Sequence, residues 1–387
     1  MVPIKYNIRS LRARWVSSLM TVLGTGLVVW ASILAFGLAD GLDHTLEVSG
    51  EPLDLVVMRK GATAETNSIV NESAARELET LEGIASNAAG DKLCSPELVV
   101  VVNTARRGDS GNGNMIVRGV TPVAKELRNN FRLVAGRENK PGLREAITSR
   151  QMANRFQGAG LDEDLDVFGN TFKIVGLFES GHGATESEIW TDLEVLGQTT
   201  RREGVRSSMQ IRANSADDAH RLLDRIASDE QFGLAALAEP DYFADQAKSG
   251  MAIKIVGRLI AIILTVGAMF AVANTMYAAV ASRAREIGTL RALGFNRRTV
   301  LFSFLIESLA LCLLGGLAGC LGALPLNGLS TGTANWATFS ELTFAFRFGP
   351  AVLLQAVILA ALMGTVGGLF PAIRATRMKI VDALREI

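Results

Sequence analysis

The chain has 387 residues, of which 49% are hydrophobic and 20% are charged, and its mean hydropathy is positive. This combination is unusual for a soluble protein and typical of membrane spans joined to ordinary globular sequence. The 39 basic and 39 acidic side chains balance, so no overall positive charge indicates nucleic acid as a partner.

The chain opens with a basic segment followed by an apolar run at residues 16–39. The basic residues of this segment are Lys5, Arg9, Arg12 and Arg14. The run has roughly the length that a spanning helix requires. A cleaved signal peptide would have a shorter apolar core, of about 7–15 residues, followed by a small-residue cleavage site, which Asp40-Gly41-Leu42 does not provide. We therefore predict an uncleaved first span, with Trp15 as an interfacial aromatic residue.

Residues 40–250 have the composition of a soluble domain, with charged residues throughout and no run long enough to span a membrane. Strand-like and helix-like stretches alternate, which predicts a large α+β domain. The predicted strands are 53–58, 98–103, 115–120, 145–148, 166–168, 171–178, 188–190 and 209–213, and the predicted helices are 72–81, 150–156 and 216–226. Turns at 108–114 and 169–170 predict hairpins, and a strand–helix pair at 209–226 is expected to close the domain.

Three further apolar stretches predict spanning helices. The second span has its core at 259–280, after an approach helix at 242–255 that would extend it into a stalk. The third span is predicted at 299–325 and the fourth at 350–373, with a loop between them. An integral membrane α-helical protein with four spans is therefore expected, carrying its large α+β domain between the first and second spans.

The basic residues of the short segments set the expected topology. They are concentrated in the N-terminal segment, in the connection between the second and third spans, and in the tail, which contains Arg374, Arg377, Lys379 and Arg385. Four spans place these three segments on one side, which we expect to be the cytoplasm. The predicted order is a cytoplasmic N-terminal segment (1–15), first span (16–39), extracytoplasmic domain (40–250), stalk and second span (251–280), cytoplasmic helix (281–298), third span (299–325), extracytoplasmic loop (326–349), fourth span (350–373) and cytoplasmic tail (374–387).

A short amphipathic helix is predicted between the second and third spans, within residues 283–298. Its apolar side is expected to consist of residues at three-residue spacing, namely Ile287, Leu290 and Leu293. Arg285 and Arg291 point elsewhere, Gly294 supplies a C-terminal stop, and Asn296 caps the next helix. Composition alone leaves open an ordinary basic loop.

The order Glu-Ile-Gly-Thr-Leu-Arg-Ala-Leu-Gly at 286–294, with Arg283 before it and Glu307 in the next helix, resembles the signature of the MacB/FtsX-like permeases of ABC transporters. The succession of strand, helix and hairpin at 145–178, preceded by Gly136-Arg137, resembles the MacB-type periplasmic domain. The segments at 370–375 and 381–385 resemble the closing motifs of the family. The chain is thus similar to MacB, LolC/LolE and DevC-type permeases, without a fused ATPase domain.

This resemblance implies that the short helix is a coupling helix, docking on a separate ABC ATPase that binds ATP and Mg. The residues that would form the coupling surface are Arg283, Glu286, Ile287, Gly288, Leu290, Arg291, Ala292, Leu293 and Gly294. It also implies pairing of two permease chains, as a homodimer or heterodimer, in the inner (cytoplasmic) membrane, with a periplasmic adaptor as a further candidate partner. Mechanotransmission to the outer domain would drive export or extraction of a hydrophobic, lipid or lipoprotein-type substrate.

Two alternatives stay open at this point. An FtsX-like signalling permease would transport nothing and would use the same motion to regulate an extracytoplasmic enzyme. A plain membrane anchor or receptor would leave the order of residues at 286–294 coincidental.

Polar and small residues within the spans provide further candidates. Glycines recur at four-residue spacing, Gly315 with Gly319 and Gly364 with Gly368, and such faces allow close approach between helices, either within the chain or across a dimer. Glu307 lies near the cytoplasmic end of the third span. An ionisable residue at this depth either supports the coupling region or has a hydrated interfacial role.

The sequence contains no recognisable catalytic motif. Because Gly-x-x-x-x-Gly-Lys-Ser/Thr is absent, ATP must be hydrolysed by another subunit, and no cofactor is expected on this chain. His44, His182 and His220 are far apart and lack companions at ligand spacing, so no metal site is expected. The three cysteines form no Cys-x-x-Cys pair and are expected to be free, buried thiols.

Overall fold

The structure is a computed structural model that describes residues 14–108, 111–128, 130–181, 183–230, 233–249, 251–335 and 338–378. Several predicted features lie outside these residues, namely Lys5, Arg9, Arg12, His182, Lys379, Arg385 and the closing motif at 381–385. The chain divides into two units. The helical unit comprises Met1–Asp40, Ala252–Leu329 and Phe346–Ile387, and the α/β domain comprises Gly41–Met251 and Ser330–Ala345.

The α-helices and strands are numbered in chain order. The helices are α1 (Trp15–Ser49), α2 (Glu72–Thr80), α3 (Arg150–Arg155), α4 (Leu193–Thr200), α5 (Ala216–Ser228), α6 (Glu239–Ser249), α7 (Met251–Ser282), α8 (Ala284–Ala292), α9 (Arg297–Ala323) and α10 (Pro350–Arg377). The strands are β1 (Asp54–Arg59), β2 (Val70–Asn71), β3 (Cys94–Ala105), β4 (Asn112–Val120), β5 (Phe131–Gly136), β6 (Glu145–Ser149), β7 (Asp164–Val167), β8 (Asn170–Ser180), β9 (Glu188–Asp192), β10 (Val205–Arg206), β11 (Ser208–Arg212), β12 (Leu234–Ala238), β13 (Ser330–Asn335) and β14 (Ser340–Ala345).

Long apolar helices form the helical unit. Among the described residues, four helices are long and apolar enough to cross a membrane, namely α1, α7, α9 and α10. Each of the predicted spans therefore corresponds to one helix, and the predicted fold class is confirmed. The helix α1 continues to Ser49, beyond the predicted end of the span at residue 39. The buried core between these helices includes Val29, Ile33, Val272, Phe304 and Met363.

The repeated glycines of α9 and α10 lie at close contacts between helices of the same chain. A Cβ atom on Gly319 would lie 2.5 Å from the carbonyl oxygen of Gly26 in α1. A Cβ atom on Gly368 would lie 2.0 Å from the Ser308 hydroxyl oxygen in α9. Gly315 and Gly364 make equivalent close approaches to α1 and α9. The sequence left open whether these glycines pack helices within the chain or across a dimer. The contacts among the described residues are packing contacts within one chain.

A mixed sheet forms the centre of the α/β domain. Within the described residues it has ten strands in the order β12-β1-β11-β3-β4-β9-β6-β8-β5, with β7 paired to β8. The pairs β3–β4 and β7–β8 are antiparallel hairpins, as the turns at 108–114 and 169–170 predict. The helices α2 and α5 cover one core around β1 and β11, and α3 and α4 contribute to another around β3, β4 and β8.

The prediction that a strand–helix pair at 209–226 closes this domain is wrong, although the domain does extend to about residue 250. The strand–helix pair β11–α5 is present, but β12 and α6 follow it, and β12 pairs with β1. The sequence of β12, Leu-Ala-Ala-Leu-Ala, has no β-branched residue to favour a strand. Its conformation is fixed by pairing with a strand about 180 residues earlier in the chain.

The prediction of a loop at 326–349 is also wrong. Its central part forms the antiparallel hairpin β13–β14, which belongs to the α/β domain. The strand β13 reads Ser-Thr-Gly-Thr-Ala-Asn, and small polar residues with a glycine are typical of loops. In β14, by contrast, most side chains are buried, which gives the hairpin its packed face.

The three cysteines are free thiols, as expected, although their burial differs. Cys94 in β3 and Cys312 in α9 are buried, whereas Cys320 is only half-buried. Burial raises the pKa of the Cys94 thiol to about 12, so this group stays protonated and unreactive.

Candidate functional site

The predicted amphipathic helix is α8, a short helix between α7 and α9. It ends where the sequence predicts, because Gly294 adopts a positive φ of 92°. The N–H of Gly294 donates to the carbonyl of Arg291, and the N–H of Phe295 donates to that of Leu290. Asn296 occupies the N-cap position of α9, but its side chain makes no capping hydrogen bond.

The expected apolar side of α8 is divided. Ile287 is 2% exposed and belongs to the core of the helical unit, whereas Leu293 is 73% exposed. Leu290 is half-buried between these extremes. Six residues turn a helix through about 600°, which leaves positions 287 and 293 about 120° apart. The prediction that these side chains share one face is therefore wrong, and Leu293 belongs to the outer surface.

The start of α8 is held by a buried ion pair with α9. Arg283 is 6% exposed and Glu307 is 2% exposed. The Nη1 atom of Arg283 donates to Oε2 of Glu307 at 2.9 Å, and its guanidinium lies 5.3 Å from the centre of the Phe304 ring. Arg14, just before α1, lies 3.7 Å from the other carboxylate oxygen of Glu307. One carboxylate thus connects the beginnings of α1 and α8 to α9.

The end of α8 is held by Arg291. Its Nη1 atom donates to the carbonyl oxygens of Thr376 at 3.2 Å and Met378 at 2.7 Å, at the C-terminus of α10. Carbonyls at a helix C-terminus have no partner within the helix and attract cations. Arg291 was expected to point away from the apolar side and to belong to the coupling surface, so its contact with α10 is a role that the sequence pattern did not reveal.

The remaining face of α8 is open to the surroundings. Its exposed residues are Arg285, Glu286, Thr289, Ala292 and Leu293, whereas Gly288 on the inner side is buried. Glu286 also accepts a hydrogen bond from Nε of Arg283 at 3.2 Å. The arrangement is a short helix fixed at both ends that presents charged groups beside an exposed leucine.

A second ionic cluster, inside the α/β domain, was not predicted. Arg118 in β4 is 4% exposed, and its guanidinium donates to Glu65, Glu97 and Glu188 over distances of 2.6–2.8 Å. Arg128 donates to Glu97 as well. The available signal was a single arginine inside the apolar stretch 115–120, where a buried charge must have partners.

The electrostatics of this cluster indicate a structural role. Burial alone would raise the pKa of Glu65, but Arg118 lowers it to about 2. Burial raises the pKa of the neighbouring Glu239 to about 8, against the opposing charge of Arg128. A cavity of about 40 Å³ borders these groups. Among the described residues, no His, Cys, Asp and Glu side chains are grouped so as to hold a metal ion.

Two family models match the sequence. Residues 18–229 match the MacB-like periplasmic core domain, and residues 258–380 match the FtsX-like permease C-terminal domain. The second match includes all of α8 and Glu307.

Two sequence relatives that cover nearly all of this chain agree with these matches. An uncharacterized ABC transporter permease of Bacillus subtilis (strain 168), YknZ, is 24% identical and covers 99% of this chain and 98% of its own length. A macrolide export ATP-binding/permease protein MacB of Bdellovibrio bacteriovorus is 23% identical over 97% of this chain, but this chain spans only 60% of that protein. The crystal structure of the extracellular domain of YknZ covers 48% of this chain at 15% identity, with a TM-score of 0.35.

The assignment of this chain to a family does not depend on any single relative. The MacB-like model alone covers residues 18–229, more than half of the 387-residue chain, and the FtsX-like model covers most of the remainder. The chain therefore belongs to the MacB/FtsX family of ABC transporter permeases, and it is a multi-pass membrane protein with four candidate spans and an α/β domain of the periplasmic type.

Proposed function

We propose that this permease subunit binds a separate ABC ATPase through α8 and uses ATP-driven movement of its helices to move the α/β domain. The observation that carries this proposal is the two-sided structure of α8. Arg283 and Arg291 fix its ends to α9 and α10, while Leu293 and the charged residues beside it face outward. A helix anchored in this way transmits a push to the spans instead of absorbing it.

The proposed orientation places α8 and both termini in the cytoplasm, with the α/β domain on the other side of the inner (cytoplasmic) membrane. Its support is the concentration of basic residues in the short segments on one side of the spans. A second permease chain, homologous or identical, would complete the transporter, and ATP with Mg would be bound by the ATPase. A periplasmic adaptor is a further candidate partner.

We propose export or extraction of a hydrophobic, lipid or lipoprotein-type substrate as the work performed. The family supports this proposal, and the name of the Bdellovibrio relative assigns macrolide export to that protein. ATP-dependent loss of a lipid or lipoprotein from proteoliposomes would support transport. ATP-dependent movement of the α/β domain without any such loss would instead support regulation of an extracytoplasmic enzyme.

The docking surface is tested with the full-length chain and its ATPase in detergent or nanodiscs. Glu286→Lys combined with Leu293→Asp reverses one charge and adds another on the outer face of α8. It removes the contact of Glu286 with Arg283 but keeps Arg283, Glu307 and Arg291, which hold the ends of the helix. We expect the affinity for the ATPase to fall about 30-fold or more, because a central interface residue contributes about 2 kcal/mol or more. Binding is measured by calorimetry or co-purification.

The matched control is Leu143→Asp, which changes a 48% exposed leucine in the α/β domain. It introduces the same group at another exposed leucine and should leave ATPase binding unchanged. Equal binding by the wild-type chain and the α8 double variant would contradict the coupling role.

A further inference from the structure

The connection between α9 and α10 is a paired ribbon along its described residues. Beyond the β13–β14 register, which runs from Ser330↔Ala345 to Asn335↔Ser340, the pairing continues toward the helices. The N–H of Gly328 donates to the carbonyl of Phe346 at 2.9 Å, and the N–H of Phe346 donates to that of Leu329 at 3.0 Å. A hydrogen-bonded ribbon resists bending more than an unpaired loop does, so it can carry a displacement along its length.

The base of this ribbon, residues 327–329 and 346–348, is fixed within the helical unit. The N–H of Arg347 donates to the carbonyl of Gly37 in α1 at 3.3 Å, and the N–H of Phe348 donates to the Asn327 side chain at 2.9 Å. A Cβ atom on Gly37 would lie 2.4 Å from the Phe348 ring, so only glycine permits this contact. The base of the ribbon therefore follows the helices.

The other part of the ribbon is fixed within the α/β domain by Glu341 of β14. Its carboxylate is 5% exposed and forms ion pairs with Arg155, whose Nε lies 2.8 Å from Oε2, and with Arg106. Arg106 follows β3, and Arg155 is the last residue of α3. A Cβ atom on Gly113 of β4 would lie 2.7 Å from Oε1 of Glu341, so this glycine makes room for the carboxylate.

Neighbouring contacts hold the same part of the ribbon. The side chain of Asn114 donates to the carbonyl of Phe339 at 2.9 Å. The N–H of Thr343 donates to the Ser187 hydroxyl at 2.8 Å, and Phe344 is 2% exposed. The hairpin is thus packed on the β3–β4 hairpin and on the segment before β9, with the buried Glu341 as its charged contact.

We propose that the ribbon is a third mechanical connection to the α/β domain, besides α1 and α7, and that Glu341 is the positioning residue that engages it. Movement of α9 and α10 would then pull directly on the β3–β4 hairpin. This proposal rests on the proposed function, because ATP binding supplies the movement. Its specific content is that the ion pairs of Glu341 with Arg106 and Arg155 carry the coupling.

The test measures hydrogen exchange in the full-length permease bound to its ATPase in nanodiscs, with and without ATP and vanadate. In the wild-type complex, ATP should change exchange in α8 and in residues 111–114, where the β3–β4 turn enters β4. In Glu341→Gln, amides 340–345 should exchange about tenfold faster even without ATP, because a buried charged contact is lost. The ATP-dependent change should then disappear at 111–114 and persist in α8.

The matched control is Glu163→Gln, which removes an ion pair with Arg107, the residue after Arg106, where both side chains are more than one third exposed. This control should keep both ATP-dependent changes. The proposal is overturned if Glu341→Gln loosens residues 340–345 but the ATP-dependent change at 111–114 remains. Failure of the proposed function would look different, because the wild-type complex would then show no ATP-dependent change in α8.

A milder variant keeps the test decisive if Glu341→Gln fails to fold. Asn114→Ala removes the hydrogen bond to the carbonyl of Phe339 and the one that the Asn114 side chain accepts from Asn103, but no charge. It should reduce the ATP-dependent change at 111–114 by about half while leaving that of α8 intact. An unreduced change at 111–114 in this variant would equally overturn the proposal.

Discussion

The molecule contains two buried ionic clusters that differ in how completely their charges are paired. In the α/β domain, the guanidinium of Arg118 donates to three glutamates, all within 2.8 Å. In the helical unit, Glu307 makes one close bond to Arg283 at 2.9 Å and a looser contact to Arg14 at 3.7 Å. The first cluster joins three strands of one sheet, β3, β4 and β9, to Glu65 in the segment between β1 and β2. The second cluster joins the ends of separate helices.

This difference separates a structural cluster from one suited to movement. Dense pairing around Arg118 makes any displacement costly, since each bond that breaks weakens the pairing of a buried charge. The contacts of Glu307 are fewer and connect elements that can shift as rigid bodies. In the proposed function, the α/β domain would therefore move as a unit, and rearrangement would cost least at the junction of α1, α8 and α9.

The largest expected effect comes from breaking the cluster in the α/β domain. Arg118→Met removes the shared cation and leaves Glu65, Glu97 and Glu188 buried without it, which should lower the free energy of unfolding of the domain by about 3–5 kcal/mol. Chemical denaturation followed by tryptophan fluorescence measures this. Arg132→Met, which removes an arginine whose side chain is 72% exposed and paired with Glu179, should cost less than about 1 kcal/mol. A similar decrease in the free energy of unfolding for both variants would contradict the structural role of the Arg118 cluster.

The second effect is a pH dependence of the free energy of unfolding of the same domain. Burial raises the pKa of Glu239 from 4.5 to about 8. Between these values the folded domain keeps a proton that the unfolded chain releases, so this contribution to stability is complete below pH 4.5 and is lost as the pH rises to 8. The free energy of unfolding should fall by about 1.4 kcal/mol per pH unit as the pH rises through this range.

Denaturation midpoints measured across this range test the assignment. Glu239→Gln should flatten the slope, whereas the exposed Glu163→Gln should leave it unchanged. Glu65 acts in the opposite direction, because its lowered pKa gives a contribution that is lost only below pH 4.5. An unchanged slope in Glu239→Gln would exclude this residue as its source.

The smallest expected effect is on the stability of α8 and comes from the cluster around Glu307. Glu307→Gln keeps a hydrogen-bond acceptor for Arg283 but removes the charge, so α8 should open more often without unfolding the chain. Amide exchange at 284–292 should become about tenfold faster, which corresponds to about 1.4 kcal/mol of local stability. Glu286→Gln, whose parent side chain is 55% exposed, should change exchange by less than about threefold. Exchange in the α/β domain should be the same in both variants.

Several features could be predicted because local physics decides them. The four spans follow from the length that a bilayer requires, and each corresponds to one helix. The stop at Gly294 follows from its tolerance of positive φ. The β3–β4 and β7–β8 hairpins follow from turn-forming residues between apolar strands.

Other features depend on partners that are distant in sequence. The strand β12 exists because it pairs with β1, and the hairpin β13–β14 packs on elements near Arg106, Gly113 and Arg155, more than 170 residues earlier. Leu293 is a different case: it was placed on the wrong face for a local reason, because residues at three-residue spacing drift around a helix and positions 287 and 293 end about 120° apart. The contact of Arg291 with the C-terminal carbonyls of α10 likewise required the tertiary structure.

The most direct test of the central claim is a hydrogen-exchange footprint of the ATPase on the permease without nucleotide. If α8 is the docking element, the ATPase should protect amides at 284–294 in the wild-type chain and in the Leu143→Asp control. The same protection should be absent from the Glu286→Lys, Leu293→Asp variant, whose α/β domain should exchange as in the wild type. Strong ATPase binding with no protection of α8 in the wild-type chain would contradict the coupling role of this helix.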